Sequence, residues 1–122
     1  MKTLYFKYAQ SVLEDQGIKS PRELDYESAK LLEIIAIAHH QGSPLTVMQA
    51  VGLSKLASPA SLHRKLTQLR NLGYVEGIHE PGNRRTQFLI PTAKADLHFE
   101  KLGTLIQQAS SSWVALRTKV TV

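Results

Sequence analysis

Apolar residues recur along this chain at two different periods, and each change of period marks a change of element. Leu4, Tyr8 and Val12 fall at helical spacing, with Glu14 and Asp15 outside the stripe, which predicts a short amphipathic helix over residues 4–16. Ser20-Pro21 then has the form of an N-cap followed by proline at the first helical position. The segment after it turns almost wholly apolar from Leu31 to Ala38, so a central, buried helix ending at Gly42 is expected. Thr46 and Gln49 have the spacing of a capping box, each side chain able to satisfy the other's free backbone N–H, and a short helix is expected to begin there. Ser58-Pro59 repeats the cap-plus-proline signal and opens a helix over 59–72, which Gly73 closes. Leu62, Leu66 and Leu69 share one face of it.

After Gly73 the period shortens. "YVEGIHE" and "RTQFLIP" are strand-like runs joined by a Pro81-Gly82-Asn83 turn, where proline presets φ and glycine or asparagine tolerates φ > 0. A last helix, capped by Thr92, follows. Its apolar residues run in heptads: Phe99, Ile106, Trp113 and Val120, with Leu102, Ala109 and Leu116 between them. Two short helices, a hairpin and a capped helix describe a winged helix-turn-helix. The expected fold is therefore mainly α with a small β-hairpin wing, flanked by N- and C-terminal helices. It is read as one domain over 1–122: helices in 1–42, helix-turn-helix and wing in 43–92, C-terminal helix in 93–122.

Composition adds exclusions. At 122 residues with 43% hydrophobic and 20% charged positions, the chain has the balance of a soluble globular domain. No apolar run approaches a membrane span, Lys7 interrupts the first apolar stretch, and a cytoplasmic location is expected. Cysteine is absent, which removes disulfides and thiolate metal sites. No serine lies in a Gly-x-Ser-x-Gly turn and no Gly-rich phosphate loop occurs, so no enzyme is expected and no cofactor. None of the five histidines forms an i, i+4 pair with a carboxylate partner, so no metal site is expected.

Charge changes the picture most. The net charge is +5. Residues 1–51 carry five Lys/Arg against six Asp/Glu, whereas residues 52–94 carry seven (Lys55, Arg64, Lys65, Arg70, Arg84, Arg85, Lys94) against Glu76 and Glu80. An excess confined to the middle third is the footprint of a surface that binds a polyanion, although a solvated basic face would look alike. The face of helix 59–72 opposite the leucines shows Ala60, Ser61, Arg64, Thr67, Gln68 and Asn71. Small residues, amides and one arginine are the side chains that approach and read base edges in a major groove. Arg84 and Arg85 leave the turn of the wing, where a planar guanidinium suits phosphate oxygens or a narrow minor groove. A salt-bridged, purely structural arginine is the alternative for one of them.

Residues 44–96 resemble the MarR family of bacterial winged-helix transcription regulators. The matching stretches are "LTVMQA", "SPASLHRKLTQLRNLGYV" and "GNRRTQFLIPTAKA". Asn83 stands where the family's wing has the aspartate of Asp-x-Arg, and Ala95 where glycine is common. The resemblance implies DNA contacts from Ser58, Ser61, His63, Arg64 and Gln68; Lys65 is added from the same helix, and Arg84 and Arg85 from the wing. It also implies a homodimer built from the terminal helices, residues 1–20 and 97–120, through Leu4, Tyr8, Phe99, Leu102, Ile106, Trp113 and Leu116. The expected partners are double-stranded DNA, a second copy of the chain and a small aromatic ligand, with no membrane. The expected function is a dimeric, sequence-specific transcription regulator that reads the major groove with helix 59–72 and the minor groove or backbone with wing 79–88. The alternative is a winged-helix module for protein interaction or mobile-element replication.

Overall fold

The computed structural model describes residues 1–14 and 24–120, with side chains as far as Val114. In chain order the elements are α1 (Lys2–Glu14), α2 (Tyr26–His40), α3 (Val47–Val51), α4 (Pro59–Asn71), β1 (Val75–Glu80), β2 (Asn83–Pro91) and α5 (Ala93–Val120). The fold is mainly helical with one antiparallel hairpin. The chain comprises two compact units, Glu23–Asp96 and Met1–Arg22 with Leu97–Val122.

Local capping chemistry decides most of the boundaries. In α3, Thr46 Oγ1 accepts from the Gln49 amide at 3.2 Å while Gln49 Oε1 accepts from the Thr46 amide at 2.9 Å, completing the capping box. Ser58 Oγ accepts from the Ser61 amide at 3.2 Å and Pro59 opens α4. Helices α2 and α4 both stop the same way. Gly42 (φ 83°) and Gly73 (φ 82°) adopt the left-handed conformation that spares only glycine a steric penalty. The two following amides then close back: Gly73 N donates to Arg70 O and Tyr74 N to Leu69 O, a Schellman pair, which Gly42 and Ser43 repeat on His39 and Ala38.

One boundary differs from expectation. Helix α2 starts at Tyr26, not after Ser20-Pro21, a pair that lies outside the described residues. Asp25 is its cap, its Oδ1 accepting from the Ser28 amide at 2.7 Å. An ionised acceptor at the positive end of a helix makes the stronger stop.

The core of the Glu23–Asp96 unit lies where α2, α4 and the hairpin meet. Leu31 and Ile35 of α2, Leu62 and Leu69 of α4, and Leu89 of β2 have no measurable exposure. Ala50 and Val51 close it from α3, and Tyr74 and Val75 from the base of the wing. Leu62, Leu66 and Leu69 are thus the buried stripe that their spacing indicates, which leaves the opposite face of α4 to solvent.

The hairpin pairs Val75 with Pro91, Gly77 with Leu89 and His79 with Gln87. A bridge between Thr46 and Phe88 adds a third short edge to β2. The base of the wing is clipped to the end of α4 by the start of α5. Thr92 Oγ1 donates to Gly73 O at 2.6 Å, Lys94 Nζ to Leu72 O at 2.8 Å, and the Lys94 ammonium sits 4.2 Å from the centre of the Tyr74 ring. Thr92 Oγ1 also accepts from the Ala95 amide at 3.3 Å, so it caps α5 as expected.

In the other unit, Leu4, Tyr8 and Val12 are the half-buried face of α1, while Tyr5 and Phe6 are 63% and 58% exposed. Lys7 Nζ donates to Ser112 Oγ at 3.2 Å. The stripe of α5 covered within one chain runs beside the heptad positions. Ala109 is buried and Phe99, Leu102 and Trp113 are half-buried, but Ile106 is 54% exposed and the buried partner of Ala109 is Leu105. A straight α-helix turns every 3.6 residues, so its covered stripe drifts off a strict seven-residue repeat. The Leu116 and Val120 side chains lie outside the described residues.

Candidate nucleic-acid interface

Two elements of the Glu23–Asp96 unit carry the residues singled out by sequence. On α4, His63, Arg64, Thr67, Gln68 and Asn71 are exposed and Ser61 is half-buried. Ser61, Arg64, Lys65 and Gln68 line a shallow hollow of about 240 Å³. Ser58 is exposed at the helix start, its Oγ already engaged as the cap. Thr67 Oγ1 donates to His63 O at 3.0 Å, so its hydroxyl proton is turned to the helix backbone.

Lys65 departs from its expected role. Its Nζ lies 2.7 Å from Asp25 Oδ2 and 3.8 Å from Glu27 Oε2, and the side chain is only 16% exposed. The hydrogen bond from Lys65, then that from the Ser28 amide, holds the Asp25 carboxyl at a pKa of about 2. Lys65 therefore ties α4 to the start of α2. The signal was present in the sequence. Lys65 stands three residues after Leu62 and four before Leu69, on the flank of the buried stripe rather than the open face. Lys94 is likewise engaged, clipping the base of the wing.

The wing holds its arginines differently. Glu80 pairs with Asn83 across a two-residue Pro81-Gly82 turn, and Gly82 takes the positive φ of 83° that the second turn position of a type II turn requires. The next pair back is His79 with Gln87, so Arg84, Arg85 and Thr86 have no opposite residue in the ladder. Such an irregularity bends the strand and turns the extra side chains outward. Asn83 closes it: its Oδ1 accepts from the Arg85 amide at 3.1 Å and the Thr86 amide at 3.4 Å. His79 Nδ1 lies 3.1 Å from Thr86 O. Arg84 and Arg85 are both exposed, and neither is ion-paired among the described residues.

Sequence reasoning also missed a contact between α4 and the wing. Arg70, on the flank of α4, donates from its Nη2 to Gln87 Oε1 of β2. Arg70 Nε is buried with no partner.

No family model matches the chain, and no curated protein sequence does. Likeness appears at the level of the fold. RV1404 from Mycobacterium tuberculosis superposes with a TM-score of 0.64 at 13% identity, over 94% of this chain and 71% of that one. A variant of S. aureus MepR, solved bound to an oligodeoxyribonucleotide, gives 0.61 at 12% identity over 92% and 74%; MepR has also been solved with ethidium bromide. The zinc-responsive MarR family member ZitR of Lactococcus lactis gives 0.53 at 18% identity over 84% and 67%. The chain has the MarR-type winged-helix fold that its motifs resemble.

Proposed function

We propose that the protein is a dimeric, sequence-specific DNA-binding transcription regulator. The observation that carries this reading is the pairing, in one compact unit, of an exposed Arg64 face on α4 with a wing whose Arg84 and Arg85 have no carboxylate partner among the described residues. Among Lys/Arg 52–94, the fold engages Lys65 and Lys94 and half-buries Arg70, while Lys55, Arg64, Arg84 and Arg85 stay exposed. In this reading α4 enters the major groove, with Ser61, Arg64 and Gln68 toward base edges and Ser58 and His63 toward the backbone. The wing reaches the backbone or the minor groove. The MepR–oligodeoxyribonucleotide complex supports a duplex as the partner, and the ethidium complex adds small aromatic ligands to those worth screening. Dimerisation through residues 1–20 and 97–120 is supported by the exposed Tyr5, Phe6, Ile106 and Val114, and would set two α4 helices about one DNA turn apart.

Salt titration with random duplex tests the reading. A dimer making roughly six to ten phosphate contacts should lose on the order of 10³–10⁵ in affinity between about 50 and 200 mM salt. A flat response would instead favour a winged-helix module that binds a protein. A monomeric mass by light scattering at micromolar concentration would overturn the dimer.

A further inference from the structure

The contact between Arg70 and Gln87 joins the two halves of the candidate interface directly, one residue from the end of the recognition helix to one on the second strand of the wing. Its seat is built by a glycine. Gly77 pairs with Leu89, and Gln87 is the diagonal neighbour of Gly77 on the same face of the hairpin. A Cβ at position 77 would overlap the Gln87 carboxamide. No positive φ requires glycine here. The missing side chain instead makes the notch through which Gln87 reaches α4.

The position of this contact gives it leverage. An isolated two-stranded hairpin is marginal in water and needs an anchor on its apolar face. Val75, Leu89 and Pro91 supply that anchor at the base, where they are buried. Residues 78–85 of the wing are all exposed. Gln87 thus ties this hairpin to α4 between the buried base and the exposed arginines. Its partner is a charged group whose Nε has no other partner, so the carboxamide oxygen is a strongly held acceptor.

We infer that Gln87, seated in the Gly77 notch and bonded to Arg70, is a positioning residue that fixes the angle of the wing on the recognition helix and hence the register between their two sets of DNA contacts. The register half rests on the DNA-binding reading above; the angle half does not.

The experiment separates the two. The chain has no cysteine, so Ala60→Cys on α4 and Glu80→Cys on the wing carry a pair of spin labels cleanly. In the absence of DNA, pulsed electron paramagnetic resonance should give a narrow distance distribution for the otherwise native protein. Gln87→Ala and Gly77→Ala should each broaden it, their combination no further than either alone, and Gln87→Glu, which keeps an acceptor for Arg70, should restore it. An unchanged distribution in Gln87→Ala overturns the strut, whether or not the protein binds duplex. On DNA, without labels, Gln87→Ala should weaken the best sequence selected from a random pool by about tenfold while changing random-duplex affinity less than about twofold. Parallel losses on both would overturn the register role, since a general folding defect predicts that pattern. A wild-type protein that binds neither duplex would overturn the DNA-binding reading and the register with it, leaving the angle to the label distances.

Discussion

Helix α4 and the wing present the same guanidinium group from opposite kinds of support. Arg64 rises from a helix whose other face is sunk in the core through Leu62, Leu66 and Leu69, and whose start and end are both capped. Its Cα cannot shift without moving buried leucines. Arg84 and Arg85 rise from a break in a ladder, held by the Asn83 side chain and by little else nearby. A cation on the first support can be aimed at one base edge. A cation on the second can follow a phosphate that varies in position. The difference teaches that, under the proposed function, base reading and backbone contact would be divided by rigidity as much as by residue type.

The comparison breaks most visibly under truncation of each support. Leu62→Ala should destabilise the protein by about 2–5 kcal/mol, the range for emptying a fully buried leucine site. Ile78→Ala on the wing, a residue 43% exposed, should stay within about 0.5 kcal/mol. Urea unfolding followed by circular dichroism measures both, and similar losses would mean that the wing is as integral to the core as α4.

Binding curves sharpen it next. Arg64→Ala should cost about 1–3 kcal/mol per half-site, mainly on the selected operator, relaxing preference at one base pair. Replacing Arg84 and Arg85 together should weaken operator and random duplex alike and lower the salt slope by about one per lost contact. If Arg64→Ala lowered both DNAs equally, the helix arginine would only position the protein, and the division of labour would collapse.

The smallest effect concerns what steadies α4 from outside. Asp25 has a folded pKa of about 2 against 3.8 for the free side chain, so its tie to Lys65 adds stability that is complete above the higher value. That stability fades as pH falls through the lower one. Asp25 is half-exposed, and screening limits the contribution to about 0.2–1 kcal/mol. Asp25→Asn should lose that amount at neutral pH, with part of it also due to the weaker helix cap, and the gap to wild type should close in acid. A gap that persists at low pH would assign the effect to the cap alone.

What could be read from the sequence was what chemistry writes locally. The Thr46–Gln49 box, the Ser58-Pro59 start, the glycine stops and the Pro81-Gly82 turn each involve residues a few positions apart, and each appears where its spacing places it. The leucine stripe of α4 follows from helical periodicity alone. The partners of Lys65, Lys94 and Arg70 did not, because they lie 40, 22 and 17 residues away. Charge counted along the chain treats all cations as surface; only the fold reveals which ones it keeps for itself. Leu105 was not singled out for a different reason: the heptad is read as a seam between two copies, whereas the stripe covered within one chain follows the 3.6-residue turn.

The clip formed by Thr92 and Lys94 on Leu72 and Gly73 closes the base of the wing, and the Arg70–Gln87 contact holds it again further out. The hairpin beyond Gly77 and Gln87 is an excursion whose two ends are already held together by this joint. Lengthening such an excursion is inexpensive, since each doubling of a flexible loop adds only about 0.6 kcal/mol of closure entropy. The joint thus makes the outer hairpin a replaceable cassette: tips of other lengths and charges can be grafted beyond Gly77 and Gln87, giving one scaffold a range of reaches while the helix beneath them stays as it is.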